Sequence, residues 1–269
     1  MIKYLLLVTA VIFIAGCTQY DTSYYNTSDI YNKTPDSYVK ENLAVVKTDE
    51  PYAQETDEPP LKLKGIGMDL DYYDPATNHA GDFVFTNEKL QFNSLFMGFG
   101  FVIPGNSSST GKDKSNPQPT FILPLGTPVR SLVDGVVAAT PTLWSGDISI
   151  QVTADGKQIK WIYETEHVTN QKVKVGDVVK AGQIIAEVGS FSGGEPQGFG
   201  AFEIGILKGG NPPVHVCPFD YLDPSIKNET EAKIIALYNA WEKYKNDYNI
   251  YSQEDFASPG CIANGIIEG

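Results

Sequence analysis

Gly126-Thr-Pro-Val-Arg-Ser-Leu-Val-Asp-Gly-Val-Val137 and His167-Val-Thr-Asn-Gln-Lys-Val-Lys-Val-Gly-Asp-Val-Val-Lys-Ala-Gly-Gln-Ile-Ile185 decide how this chain folds. Both stretches set short runs of Val, Ile and Leu between Gly, Pro, Asn and Asp. Such runs are too short for helices and are bounded by turn formers. Gly135, Gly176 and Gly182 fall where one strand gives way to the next, and a positive φ is expected at each. Working outward, the same texture extends from Leu61 to Leu222. Residues 129–133, 135–139, 147–152, 158–163, 183–188 and 201–207 read as strands. Turn signals about ten residues apart predict a mainly β fold, an antiparallel sandwich or half-barrel. Asn106 to Gln118 holds no aliphatic or aromatic residue and reads as an exposed loop.

The period changes after Pro224. Ile234, Leu237, Tyr238, Trp241 and Tyr244 recur at three- and four-residue steps, which predicts one C-terminal amphipathic helix packed on the β domain. Asn228 is the expected N-cap, with acids following it and lysines late, as the helix dipole favours. Residues 224–269 thus form a helix and tail beyond a β domain at 61–223.

The N-terminal side has a different character. Lys3 precedes an apolar run from Tyr4 to Ile14, which ends in Ala15-Gly16-Cys17. The run is shorter than the roughly 20 residues a membrane-spanning helix needs and fits the core of a signal peptide. With Cys17 directly after it, the segment resembles the signal and lipobox of prokaryotic lipoproteins. That resemblance implies acylation of Cys17, a membrane lipid anchor and an extracytoplasmic location. Residues 18–60 hold nine acids against three lysines and little apolar surface, the composition of a disordered acidic stalk. The whole chain carries a net charge of −13, which excludes nucleic acid as an expected partner. Once Cys17 is set aside, Cys217 and Cys261 remain, and in an exported chain two cysteines pair as a disulfide.

The two opening stretches, then Gly189, then Phe202-Glu203-Ile204 and Pro218-Phe-Asp-Tyr-Leu222, occur in one order. Together they resemble the lysostaphin-type, LytM-like zinc endopeptidases that cut peptidoglycan cross-bridges. The resemblance covers about residues 116–222 and implies that family's duplicated hybrid motif and β-sheet core. Val-Gly-Asp-Val-Val-Lys-Ala-Gly-Gln alone is shared with biotinyl and lipoyl carriers, but the hairpin-tip lysine of those domains has no counterpart between Val137 and Val173.

The resemblance also implies a zinc site, and the residues at its positions have changed. The family's ligands are the His and Asp of a His-x-x-x-Asp before Gly-Thr-Pro-Val, and the last His of a His-x-His before Phe-Glu-Ile. These positions hold Asn116, Thr120 and Phe199-Gly200-Ala201 here. The family's four-histidine site exceeds the supply of three, His79, His167 and His215. Zinc needs several nitrogen, sulfur or carboxylate ligands at once, so no metal and no zinc cofactor are expected at those positions. His167 alone matches a catalytic position, as a vestige.

Three further clusters have plainer readings. Asn78-His79-Ala80-Gly81-Asp82 reads as a surface turn. Asp69, Asp71 and Asp74 lack the central glycine of a calcium loop. His167 with Glu164, Glu166 and Glu203 could make a remodelled cation site, though packing or capping is the blander role for the histidine. The expected function is a membrane-anchored envelope lipoprotein with a degenerate peptidase domain. Asn116, Thr120, Phe199, Ala201 and Glu203 would line a groove for a cell-wall polymer or an envelope protein. Trp144, Trp161, Phe191 and Phe199 could supply stacking surfaces there. The alternative is a cell-wall hydrolase with an unorthodox site around His167.

Overall fold

A computed structural model describes residues 57–108, 110–157, 160–191, 195–210 and 213–262. Cys17, the signal segment and residues 18–56 of the stalk lie outside the described residues. Five short strands come first: β1 (His79–Ala80), β2 (Phe83–Val84), β3 (Phe96–Met97), β4 (Val102–Ile103) and β5 (Lys114–Ser115). Longer ones follow as β6 (Thr120–Pro124), β7 (Pro128–Arg130), β8 (Gly135–Ala139), β9 (Ile148–Thr153) and β10 (Trp161–Thr169). The last are β11 (Val178–Val179), β12 (Ile184–Val188), β13 (Phe199–Lys208) and β14 (Val214–Val216). Helices α1 (Pro224–Lys245) and α2 (Gln253–Ala257) close the chain.

The main sheet runs β11-β8-β9-β10-β13-β6-β3, with β12 bridging β10 and β7 and β14 added to β13. All its pairings are antiparallel. The fold is therefore mainly β, as the turn spacing predicts. β10 and β13 form its spine, in register from Trp161 opposite Lys208 to Glu166 opposite Glu203. Gly176 and Gly182 have the positive φ expected of them, at 91° and 80°. Gly135 does not, and its reason for being glycine is spatial. A Cβ there would stand 2.5 Å from the Thr153 carbonyl oxygen on the paired strand.

Helix α1 begins earlier than its periodicity suggests. Asp223 caps it by accepting from the Ser225 amide, and Pro224 occupies the first turn, where its missing N–H costs nothing. Asn228 is thus inside the helix rather than at its cap. Most of the predicted apolar stripe is buried: Ile234, Leu237, Tyr238 and Trp241 are each no more than 1% exposed, and Tyr244 is half-buried against the core. The Trp241 indole N–H donates to the Asn93 carbonyl at 2.7 Å, so the ring packs with its one polar atom satisfied. Phe96 stacks on Phe121 and on Tyr238, which ties β3, β6 and α1 into one core.

Two devices hold the ends of this body. Cys217 and Cys261 form a disulfide, as the cysteine count predicts. On the other side, residues read as stalk already belong to the fold. Asp57 pairs with Lys208, and Pro59 is buried. The Tyr163 hydroxyl accepts from the Leu61 amide at 2.7 Å and donates to the Leu61 carbonyl at 2.9 Å. Leu63 then forms a parallel bridge with Leu222, beside the start of α1. Among the described residues no helix is long and apolar enough to cross a membrane.

Candidate functional site

β10 changes partners in its last third, and the site is built at that change. Up to Glu166 the strand pairs with β13; from Val168 it pairs with β12. Its ladder with β9 slips between Thr165 and Val168, the mark of a β-bulge. His167 sits at the slip with φ of 58°, a left-handed conformation uncommon for a residue with a side chain. Neighbours in a regular strand point to opposite faces. The bulge removes that alternation, and Glu166 and His167 both line one cavity of about 420 Å³.

β13 and β6 supply the opposite wall. Glu203 lies across from Thr120 in the ladder, and both reach the cavity. The Thr120 hydroxyl is 3.0 Å from Glu203 Oε1 and 3.2 Å from the Gln118 carbonyl oxygen, so it donates to one of them at a time. It also accepts from Asn116 Nδ2 at 3.0 Å. Asn116, Gln118 and Thr120 are nearly fully buried. The stretch read as an exposed loop therefore ends inside the protein. Its short polar side chains are spent on one another and on the carboxylates of the site. Aromatic residues Phe92, Trp144 and Phe191 complete the walls. Trp144 is 80% exposed at the rim, edge-on to Phe191, whose ring centroid lies 4.1 Å from that of His167.

Beneath the cavity runs a layer of buried polar groups. Glu164 is 2% exposed, accepts from Gln118 Nε2 at 2.9 Å, and is approached by Ser149 and Gln151 at 3.4 and 3.3 Å. Gly205 makes room for it, since a Cβ there would stand 2.8 Å from Gln118 Nε2 and 2.9 Å from Glu164 Oε1. Burial, reinforced by the Glu166 charge, holds the Glu164 carboxyl well above the usual carboxylate range. Glu166 is raised too, first by burial and then by Glu203. For His167 burial opposes the charged form, but Glu203, Glu166 and Asp147 together outweigh it and raise its pKa. Its Nδ1 lies 3.3 Å from both Asp147 Oδ2 and Ser145 Oγ.

The site residues read from sequence divide accordingly. Asn116, Thr120, His167 and Glu203 come together at the cavity. Phe199 and Ala201 share a strand face with Glu203 by alternation but are not among the lining residues, and Ala201 is fully buried. Trp161 is likewise buried away from the cavity, whereas Trp144 and Phe191 are on its wall. Gln118, Asp147 and Phe92 are contributors that the sequence did not signal. His79 sits in a tight β1–β2 turn around Gly81, as a surface turn requires. Asp69 and Asp82 both bind Arg130, which gives those acids a structural role. Cys217, Asp220 and Cys261 also cluster, but both sulfurs are committed to the disulfide.

The positions that the resemblance assigns to zinc ligands do not fit that ion. Asn116 and Thr120 offer an amide and a hydroxyl that are already hydrogen-bonded to each other, and Ala201 offers nothing. The sheet around them nevertheless matches known proteins. The family model described as peptidase family M23 matches residues 119–205. A curated relative, the glycyl-glycine endopeptidase ALE-1 of Staphylococcus capitis, is 44% identical over 72 residues. That match covers 26% of this chain, and the chain spans only 19% of the relative's length. Among solved structures, one described as the structural characterization of LytU is 26% identical with a TM-score of 0.37, covering 50% of this chain and 86% of that one. The catalytic domain of lysostaphin from Staphylococcus simulans is 23% identical with a TM-score of 0.37, covering 46% and 88%. The family model and the curated relative support the resemblance of this segment to M23 peptidases.

Proposed function

We propose that this chain is a lipid-anchored, extracytoplasmic module of the cell envelope. Its M23-like domain holds a peptide strand of the wall polymer in the His167 cavity without the family's zinc hydrolysis. One observation carries the reading. The inherited ligand positions are filled by Asn116, Thr120 and Ala201, while the cavity beside them persists with open aromatic walls. Trp144 is the clearest sign of a binding surface, because a large indole left in solvent at a cavity rim suits stacking on a ligand. The name of the curated relative, a glycyl-glycine endopeptidase, favours a glycine-containing peptide as the ligand class.

Co-sedimentation of the full chain with purified cell walls tests the proposal. Trp144→Ala should lose most of the bound fraction with little change in stability, since surface substitutions usually stay within about 0.5 kcal/mol. Equal sedimentation of wild type and variant, or none by either, would sink it. A second reading, a wall hydrolase working through His167, is favoured by the convergence of Glu166 and Glu203 on that histidine. Clearance of a wall suspension by the wild type that His167→Gln abolishes would promote it over binding alone.

A further inference from the structure

We propose that Glu166, His167 and Glu203 form a binding site for a first-row divalent cation, displaced from the positions where the resemblance places zinc. The inference goes beyond the proposed function and does not rest on it.

The three side chains each present a ligand atom, and these atoms lie within 4.8 Å of one another. Proximity of acids alone would mean little; the histidine carries the argument. His167 is 3% exposed, and its Nδ1 is taken by Asp147 and Ser145. Its Nε2 is the ring nitrogen on the Glu203 side. It faces Glu203 Oε2 at 3.6 Å, an ion-pair distance too long for a hydrogen bond. In the tautomer that donates Nδ1–H to Asp147, Nε2 would present a lone pair on the side of the two carboxylates, where a cation can take the place of the ring proton. A carboxylate behind a ligating histidine is the recurrent outer partner that fixes tautomer and ring orientation in metal sites. Lys114, the only lysine or arginine among the lining residues, makes no ion pair with either glutamate among the described contacts.

The backbone is shaped for the same purpose. Only the left-handed turn at His167 brings two consecutive side chains to one cavity, and such strained positions concentrate where ligands are held. Thr120 fixes the second oxygen of Glu203 at 3.0 Å, which leaves Oε2 on the histidine side. Glu164, which the sequence groups with these residues, turns instead to Gln118, Ser149 and Gln151 and is no ligand. One imidazole with two carboxylates suits Zn²⁺ or Mn²⁺ better than Ca²⁺ or Mg²⁺, which favour all-oxygen shells. Three protein ligands would leave coordination positions open toward the cavity.

Metal content, spectroscopy and binding isotherms test this on the full chain in detergent, stripped with chelator and titrated with Zn²⁺ or Mn²⁺. One ion per chain is expected, with Zn²⁺ tighter than Mn²⁺ as the general affinity order for such ligands requires. Mn²⁺ should broaden the imidazole resonances of His167 more strongly than those of His79 and His215. Glu203→Gln and His167→Gln should each abolish stoichiometric uptake, and Asp147→Asn should weaken it by about 10–100-fold. His79→Gln should leave it unchanged. Folded wild type that takes up neither ion overturns the proposal. So does uptake that survives both Glu203→Gln and His167→Gln, or Mn²⁺ broadening confined to the other histidines. If the variants fail to fold, the wild-type broadening pattern still decides.

Discussion

Thr120 and Phe121 are neighbours on β6, as Phe202 and Glu203 are on β13, yet the two members of each pair serve opposite regions of the molecule. Phe121 and Phe202 face the aromatic core, in a stacked series Phe202, Phe121, Phe96 and Tyr238 whose successive centroids are no more than 6.0 Å apart. Thr120 and Glu203 face the buried polar layer beneath and around the cavity. The apolar region is held by area and shape, which many side-chain combinations can satisfy. The polar region is held by particular donors matched to particular acceptors, and each unmatched atom there carries a full desolvation cost. One side of the sheet should therefore register changes in volume, and the other changes in chemistry.

Substitutions on the two sides can break or sharpen that contrast. The largest effect is expected on the apolar side. Trp241→Ala removes a fully buried indole and its bond to Asn93, and should lower stability by about 3–5 kcal/mol in urea unfolding. Loss near zero would mean that α1 is not integral to the core. Reducing or replacing the Cys217–Cys261 bridge should cost ~3–4 kcal/mol, because 44 residues of separation are closed by one bond. Thermal unfolding with and without reductant measures it, and a double Ser variant as stable as the oxidised wild type would contradict it.

On the polar side, Gly205→Ala adds a single methyl group between Gln118 and Glu164. It should cost about 1–3 kcal/mol, far more than a methyl group at a solvent-facing strand position. An unchanged unfolding midpoint would show that the layer can shift to accept it. The smallest effect belongs to Glu164→Gln, and it depends on pH. A carboxyl raised by burial favours folding in its neutral form. Its contribution is present below the unfolded value and is lost as pH rises through the folded one. With chelator present, the variant should match the wild type in acid and become relatively more stable as pH rises. A pH-independent difference would show that Glu164 keeps its charge in the fold.

The apolar side was the more legible in the sequence. Ile234, Leu237, Tyr238 and Trp241 announce themselves by spacing, and the strand runs at 135–139 and 183–188 fall within a residue of β8 and β12. The polar side was legible as residue types but not as geometry. Three ionisable residues inside the apolar setting of Trp161 to Val168 were a signal, and Asn116 and Thr120 stand at the four-residue spacing that the resemblance assigns to two ligands. What the sequence could not convey is the bulge at His167, because nothing in Glu-His-Val requires a left-handed histidine. It is the tertiary exchange of β13 for β12 that imposes it. Burial of Gln118 was hidden for a similar reason, since its partner Glu164 is supplied by the distant strand β10.

The clasp at Leu61 gives this protein a mechanical character. Tension arriving along the chain from its N-terminal side reaches the folded body at Asp57 and Leu61, before any strand of the main sheet. It is borne first by exposed ion pairs, then by the two bonds to the Tyr163 hydroxyl and by the Leu63–Leu222 bridge. These are few and lie at the edge of the fold, whereas β10 and β13 share a ladder of consecutive pairs. The clasp should therefore give way before the β10–β13 ladder does, as a fuse would. Pulling single molecules from the N-terminal side should reveal a small early extension that Tyr163→Phe weakens, and a single all-or-none rupture would show that the fuse does not exist.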